Sequence, residues 1–196
     1  KDVFLSNIKY IRKNKNTLLK KKNFIYTTIH RAENTNSKNK IYNIVKNLNE
    51  LSKKYEIIFS LHPRTLKYLK RYKIFDKISS KIQIIDPQNY INSLYYLKNC
   101  SLLITDSGGM QKEAYYCKVP CLTVRRETEW PETIKYGWNR LAKTNSNQIF
   151  KLALKSIKKK GKPVNLYGKG NTSKLIIDKM IKIYKKNKLS KKKFIS

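Results

Sequence analysis

Apolar and polar positions along this chain follow two periods that take turns. Residues 24–29 read Phe-Ile-Tyr-Thr-Thr-Ile, a short β-branched and aromatic run that predicts a strand. Across 39–53, Ile41, Ile44, Val45, Leu48 and Leu51 recur at helical spacing among Lys, Asn and Glu, which predicts a helix with those side chains inward. The switch then repeats. Strands are expected at 56–61, 82–85, 102–105 and 120–124, with a short one at 139–142. Helices are expected at 65–72, 90–98, 110–117 and 148–158. A helix over 2–15 precedes the series, a loop covers 159–165, and a helix over 172–186 closes it. Strands alternating with helices imply crossover connections and a doubly wound parallel sheet, an α/β Rossmann-like fold. No linker divides the chain, so we expect one domain over 1–187 and a frayed basic tail over 188–196.

With 196 residues, 40% of them hydrophobic, the chain can bury a sizeable core and is too apolar to be disordered. No run of about 18 apolar residues exists to span a membrane, so no membrane partner is expected. The chain opens on Lys1 without a signal-type h-region, and is expected to be a piece of a longer protein.

The net charge of +33 could serve a phosphate backbone. The lysines, however, are scattered among abundant Asn, Ile and Tyr, as an A/T-rich coding sequence produces. Arginine, the bidentate phosphate and base reader, is confined to Arg12, Arg31, Arg64, Arg71, Arg125, Arg126 and Arg140. Compositional drift is therefore preferred, with no specific nucleic-acid partner. The acids number only 12, yet Glu33, Asp86, Asp106, Glu113, Glu127, Glu129 and Glu132 all fall where strands end or helices start. Helix-dipole preference explains some of these. Cys100, Cys117 and Cys121 form no metal or redox motif and read as small apolar residues of a reduced, cytoplasmic protein. His30 and His62 lack ligand-spaced neighbours, so no zinc is expected.

Three segments should converge at strand carboxyl ends: His30-Arg31-Ala32-Glu33-Asn34, His62-Pro63-Arg64 and Asp106-Ser107-Gly108-Gly109. In the last, glycines let a phosphorylated ligand approach the backbone, and the next helix offers its free N–H groups. Glu113, one turn on, can accept from a pair of hydroxyls. Taken alone, Ser-Gly-Gly is equally a tight turn with a serine cap. His30 could bind or protonate a leaving phosphate, or be structural. Arg31 and Arg64 could bind phosphate or pair with Glu33 and Asp106. His62 could simply cap the strand end, and Trp130 and Trp138 read as core or interface residues.

The ordered set changes the balance. It comprises the two histidine segments, Asp86-Pro87-Gln88-Asn89-Tyr90, Thr105 through Ala114, Val119 through Arg125 and Thr128 through Thr133. It resembles the non-hydrolysing UDP-N-acetylglucosamine 2-epimerases. Asn165 through Asn171 is similar to that family's closing segment, with Leu166 in place of proline. The resemblance runs from about residue 2 to about residue 186 and matches only the carboxyl-terminal half of a two-domain, glycosyltransferase-B-like architecture.

That likeness implies several roles. Ser107, Gly108 and Gly109 would hold the UDP diphosphate, Glu113 the ribose, and His30, as a catalytic residue, the phosphate side of the leaving group. Arg31, Glu33, His62 and Tyr90 would complete the substrate contacts. Tyr90 would be a wall for uracil, although Ser93 falls where relatives often carry an aromatic. In bacterial relatives, counterparts of Arg31 and His62 also belong to a regulatory UDP-sugar site. The family inverts carbon 2 by eliminating UDP to a glycal and re-adding it, with no cofactor. Its catalytic carboxylates lie in the amino-terminal half, so an amino-terminal domain or chain is the expected partner, and a homodimer stays open. The competing expectations are the UDP-binding half of a sugar transferase of the same fold, a basic binding module without catalysis, and a degenerate half-enzyme.

Overall fold

The computed structural model describes residues 1–13, 23–144 and 147–185. The expected ends of the first helix (14–15) and the last (186), and the basic tail at 188–196, lie outside the described residues. Two compact units are drawn from the chain, one within Asn16–Val164 and one from Lys1–Lys15 with Asn165–Ser196.

The larger unit is built on a six-stranded parallel sheet of β1 (Phe24–Thr28), β2 (Glu56–Ser60), β3 (Ile82–Ile85), β4 (Leu102–Thr105), β5 (Cys121–Thr123) and β6 (Asn139–Leu141). Its order is β3-β2-β1-β4-β5-β6. The chain winds outward from β1 to β3, returns to lay β4 beside β1, and winds outward again. β1 and β4 register Ile25 against Leu102 and Thr28 against Thr105. This reversal is the topological switch point, where the loops leaving the two strands part and open a crevice.

Burial follows from the sequence. A central parallel strand is covered on both faces, so it reads as an apolar run and not as an alternation. All of β4 is buried, as are Phe24, Ile25, Tyr26 and Thr27 of β1. Helix α3 (Lys38–Ser52) follows the short α2 (Ala32–Thr35) and buries the five expected residues Ile41, Ile44, Val45, Leu48 and Leu51. Ser37 caps it by accepting from the Lys40 N–H at 3.4 Å. The connections that follow are α4 (Pro63–Arg71), α5 (Tyr90–Asn99), α6 (Gly108–Cys117), α7 (Pro131–Lys135) and α8 (Gln148–Lys158). Cys100 and Cys121 are buried free thiols, and burial pushes the half-buried Cys117 up to about 12. Trp138 is also buried, its indole N–H donating to the Lys162 carbonyl at 2.7 Å.

In the smaller unit, α1 (Asp2–Lys13) and α9 (Thr172–Lys185) are joined through Asp2. The Asp2 carboxylate accepts from the Ser173 N–H at 2.8 Å and its hydroxyl at 2.7 Å. An acid at the positive end of α9 caps it, and those bonds hold the carboxyl below its usual range. At Gly170, with φ of +79°, an added Cβ would run into the Leu5 side chain, so a larger residue has no room. Helix α9 leaves Leu175, Ile176, Ile177, Met180, Ile181 and Tyr184 exposed. No described helix is long and apolar enough to cross a membrane.

Candidate functional site

Asp106, the first residue after β4, has no exposed surface. Its carboxylate accepts from the His30 N–H at 3.0 and 3.1 Å, the Arg31 N–H at 2.9 Å and the Asn34 side-chain amide at 3.0 Å. The same amide donates to the Val124 carbonyl at 2.9 Å, at the end of β5. A buried anion needs such donors, and charge-assisted bonds of this kind contribute roughly 1.5–3 kcal/mol each. One acid therefore fastens the loops leaving β1, β4 and β5. The sequence offered Asp106 as a partner for arginine side chains. Here its partners are mainly backbone N–H groups, which need no room for a guanidinium.

His30 is thereby fixed over the switch point. Its Nδ1 lies 3.5 Å from Asp106 Oδ1, and its ring is 5.4 Å from that of His62. Burial lowers the His30 pKa and outweighs the upward pull of the Asp106 charge. The imidazole is neutral at pH 7, ready to accept a proton or a hydrogen bond. His62 differs from expectation. It caps α4 rather than the strand end, its Nδ1 accepting from the Arg64 N–H at 3.1 Å, with Pro63 opening the helix. Arg64 is committed elsewhere, to the Thr35 hydroxyl at 3.0 Å and Asn36 Oδ1 at 2.7 Å, and pairs with neither Glu33 nor Asp106.

Helix α6 begins at Gly108, two residues earlier than the glycines suggested. Glycine's poor helix propensity makes Gly-Gly read as a turn, whereas tertiary contacts hold it in the first helical turn. The Ser107 N–H donates to Thr105 Oγ1 at 3.0 Å, and that hydroxyl meets Thr28 Oγ1 at 2.9 Å. The Trp130 indole N–H donates to the Gly108 carbonyl at 2.8 Å. Ser107 occupies the N-cap position, yet its side chain makes no capping bond. Space is open beside Gly109, where an added Cβ would meet nothing within 4 Å. The first N–H groups of α6, its positive end and the Ser107 hydroxyl thus follow directly on Asp106, which holds His30, an arrangement suited to an anion.

Glu113 and Tyr90, named separately from the sequence, meet. The Tyr90 hydroxyl donates to the half-buried Glu113 carboxylate. Burial raises the Glu113 pKa against that bond, while burial and then the Glu113 charge push Tyr90 up to about 12. Tyr90 as a whole stays 41% exposed, which leaves its surface open to a flat group. Ser93 lies behind the site, 3.3 Å from the buried Tyr26 hydroxyl.

Sequence reasoning missed two networks. Buried Gln111 accepts at Oε1 from the Thr128 hydroxyl at 2.5 Å and the Asn139 amide at 3.1 Å, and donates to the Ser107 carbonyl at 3.2 Å. It ties α6 to β6 and to the loop before α7. Beside it, Arg125 donates to Glu129 Oε1 at 2.6 Å and to Glu33 Oε1 at 3.2 Å, while Arg31 stands 3.7 Å from Glu129. Glu33 and Arg31 thus pair with partners from beyond β5 and not with each other. The crowding of Glu127, Glu129 and Glu132 in so basic a chain was the available signal.

Residues 2–181 match the family model described as UDP-N-acetylglucosamine 2-epimerase. The chain belongs to that family. Among curated relatives, a UDP-N-acetylglucosamine 2-epimerase homolog of Methanococcus maripaludis is 40% identical over 90% of this chain and 51% of its own length. The UDP-2,3-diacetamido-2,3-dideoxy-D-glucuronate 2-epimerase of Pseudomonas aeruginosa is 36% identical over 82% of this chain and 45% of its own. The Methanocaldococcus jannaschii UDP-GlcNAc 2-epimerase, solved in complex with UDP-GlcNAc and UDP, superposes with a TM-score of 0.84 at 38% identity. That superposition covers 92% of this chain and 52% of the other. The chain spans about half the length of the curated epimerase-family relatives it matches.

Proposed function

We propose that this chain is the UDP-binding half of a UDP-N-acetylglucosamine 2-epimerase, converting UDP-GlcNAc to UDP-ManNAc by elimination and re-addition of UDP. The observation that carries the reading is the opening of α6 at the switch point, where the Ser107 side chain makes no capping bond and the preceding Asp106 holds the His30 N–H. Elimination breaks the bond from sugar carbon 1 to the diphosphate oxygen as a base removes the proton on carbon 2. The charge then gathers on the departing diphosphate. Ser107 and the N–H groups of Gly108 and Gly109 would stabilise it in place. His30, neutral at rest, would take up a proton or hydrogen bond on the phosphate side. Glu113 would accept the ribose hydroxyls, exchanging the Tyr90 hydroxyl for them, and the exposed Tyr90 ring would back the uracil.

The base for carbon 2 belongs to the amino-terminal half, supplied as a domain or as a separate chain. The apolar residues that α9 leaves uncovered support such a companion. Free thiols suit a cytoplasmic setting. The Pseudomonas relative favours a second sugar, a diacetamido-glucuronate, on the same nucleotide cradle.

Calorimetric titration of the purified chain with UDP, at low and at about 0.5 M salt, tests the reading. Saturable one-to-one binding that survives salt and weakens in Ser107→Ala is expected. Binding that vanishes with salt would belong to the scattered lysines and would sink the proposal.

A further inference from the structure

Glu129 stands over the entrance to this cradle. Its carboxylate atoms lie 3.1–3.3 Å from where a Cβ on Gly108 would sit, so the carboxylate faces the first residue of α6. Arg125 binds it at 2.6 Å, Arg31 stands at 3.7 Å, and Arg125 reaches back to Glu33 at 3.2 Å. Glu33, Arg125, Glu129 and Arg31 thus form a row of alternating charge across the loops leaving β1 and β5. The Arg125 bond holds the Glu129 carboxyl below its usual range, so it is charged at neutral pH.

The backbone around Glu129 is pinned. The Trp130 N–H donates to Thr128 Oγ1 at 3.0 Å, the Thr128 hydroxyl donates to buried Gln111, and the Trp130 indole holds the Gly108 carbonyl. The Glu129 side chain, by contrast, is 45% exposed. It can rotate into water without moving the loop.

We propose that Glu129 is the resident anion of the cradle, covering Gly108 while the site is empty and yielding Arg125 and Arg31 to the diphosphate when a nucleotide binds. The inference rests on the nucleotide reading above. A carboxylate and a diphosphate a few ångströms apart repel strongly, so both cannot occupy the entrance. Guanidinium forks donate to either anion, and the exchange conserves their hydrogen bonds. The empty site therefore stays neutralised and ordered, and ligand binding works against an internal competitor.

Glu129→Gln keeps the shape and removes the charge. UDP titrated at about 50 mM salt is expected to bind this variant about tenfold more tightly than the parent, with the gain shrinking at high salt. Glu129→Ser, a second uncharged variant at this exposed position, should show the same direction. Glu127→Gln removes the same formal charge from an exposed neighbour and should stay within about twofold of the parent. Equal or weaker UDP binding by both Glu129 variants would overturn the proposal and make the carboxylate a mere positioner of Arg125. Equal tightening by Glu127→Gln would reduce it to net charge and overturn it too. A parent chain that binds no UDP at either salt would strike down the nucleotide reading itself, a separate failure.

Discussion

Replacing Asp106 by Asn exchanges one acceptor oxygen for an NH2 donor, and it should loosen three loops. The native carboxylate serves the N–H groups of His30 and Arg31 and the Asn34 amide, with no solvent to substitute. Asn brings a single oxygen. Its NH2 must then face at least one donor that has nowhere else to go. Losing one or two charge-assisted bonds, each worth roughly 1.5–3 kcal/mol, is partly offset because no charge needs burying. The expected loss is about 2–4 kcal/mol out of a typical 5–15 kcal/mol. Urea unfolding followed by circular dichroism should show a lower midpoint at unchanged slope, and Tm should fall by roughly 5–12 °C. Asp106→Ala, which abandons all three donors, should cost more. A loss below about 1 kcal/mol in Asp106→Asn, or Ala milder than Asn, would refute the claim that this acid fastens the site.

Two further outcomes follow from the same geometry. Burial sets the folded pKa of His30 below its ordinary 6.5, so its contribution to stability is fully present above about pH 6.5 and is lost as pH falls through the folded value. The chain has two histidines, so imidazole NMR titration with a His62→Asn variant for assignment reads it directly; a His30 midpoint above 6.5 would contradict the burial argument. Gly108→Val should abolish UDP binding by filling the entrance beside Glu129, while the fold survives because the nearest atoms are the end of a flexible side chain. A Val variant binding UDP as tightly as the parent would mean that the diphosphate does not approach Gly108.

The alternation of periods was enough to place β3 and β4 at their observed ends and the inward face of α3 at its five residues, because burial on two sides or one leaves a direct trace in composition. The two-residue error at the start of α6 has the opposite origin. Gly108 and Gly109 carry no helix preference of their own and are held by Ser107, Thr105 and Trp130. Short α2 was equally silent, since Arg31 and Asn34 are ordered by an acid 75 and 72 positions away. His30, Ser107 and Glu113 could be singled out as candidates because each lies in a local motif at a strand end or helix start. Gln111, Arg125 and the partner choice of Glu129 were not, because each depends on loops that only the folded sheet brings together.

The reversal of winding at β1 and β4 also sets the order in which this protein can be made. His30 leads out of a strand that pairs first with β2, its neighbour in sequence, yet the acid that locks its loop comes 76 residues later. Closing that distance is an entropic cost that local pairing does not meet. A nascent chain stopped before residue 106 can assemble β1, β2 and β3, but the N–H groups of His30 and Arg31 still point at an acid that has not been synthesised. The loops leaving β1 and β4 therefore lock only once β4 has been laid beside β1, and anything that binds those locked loops stabilises only chains that have completed the turn back to the centre.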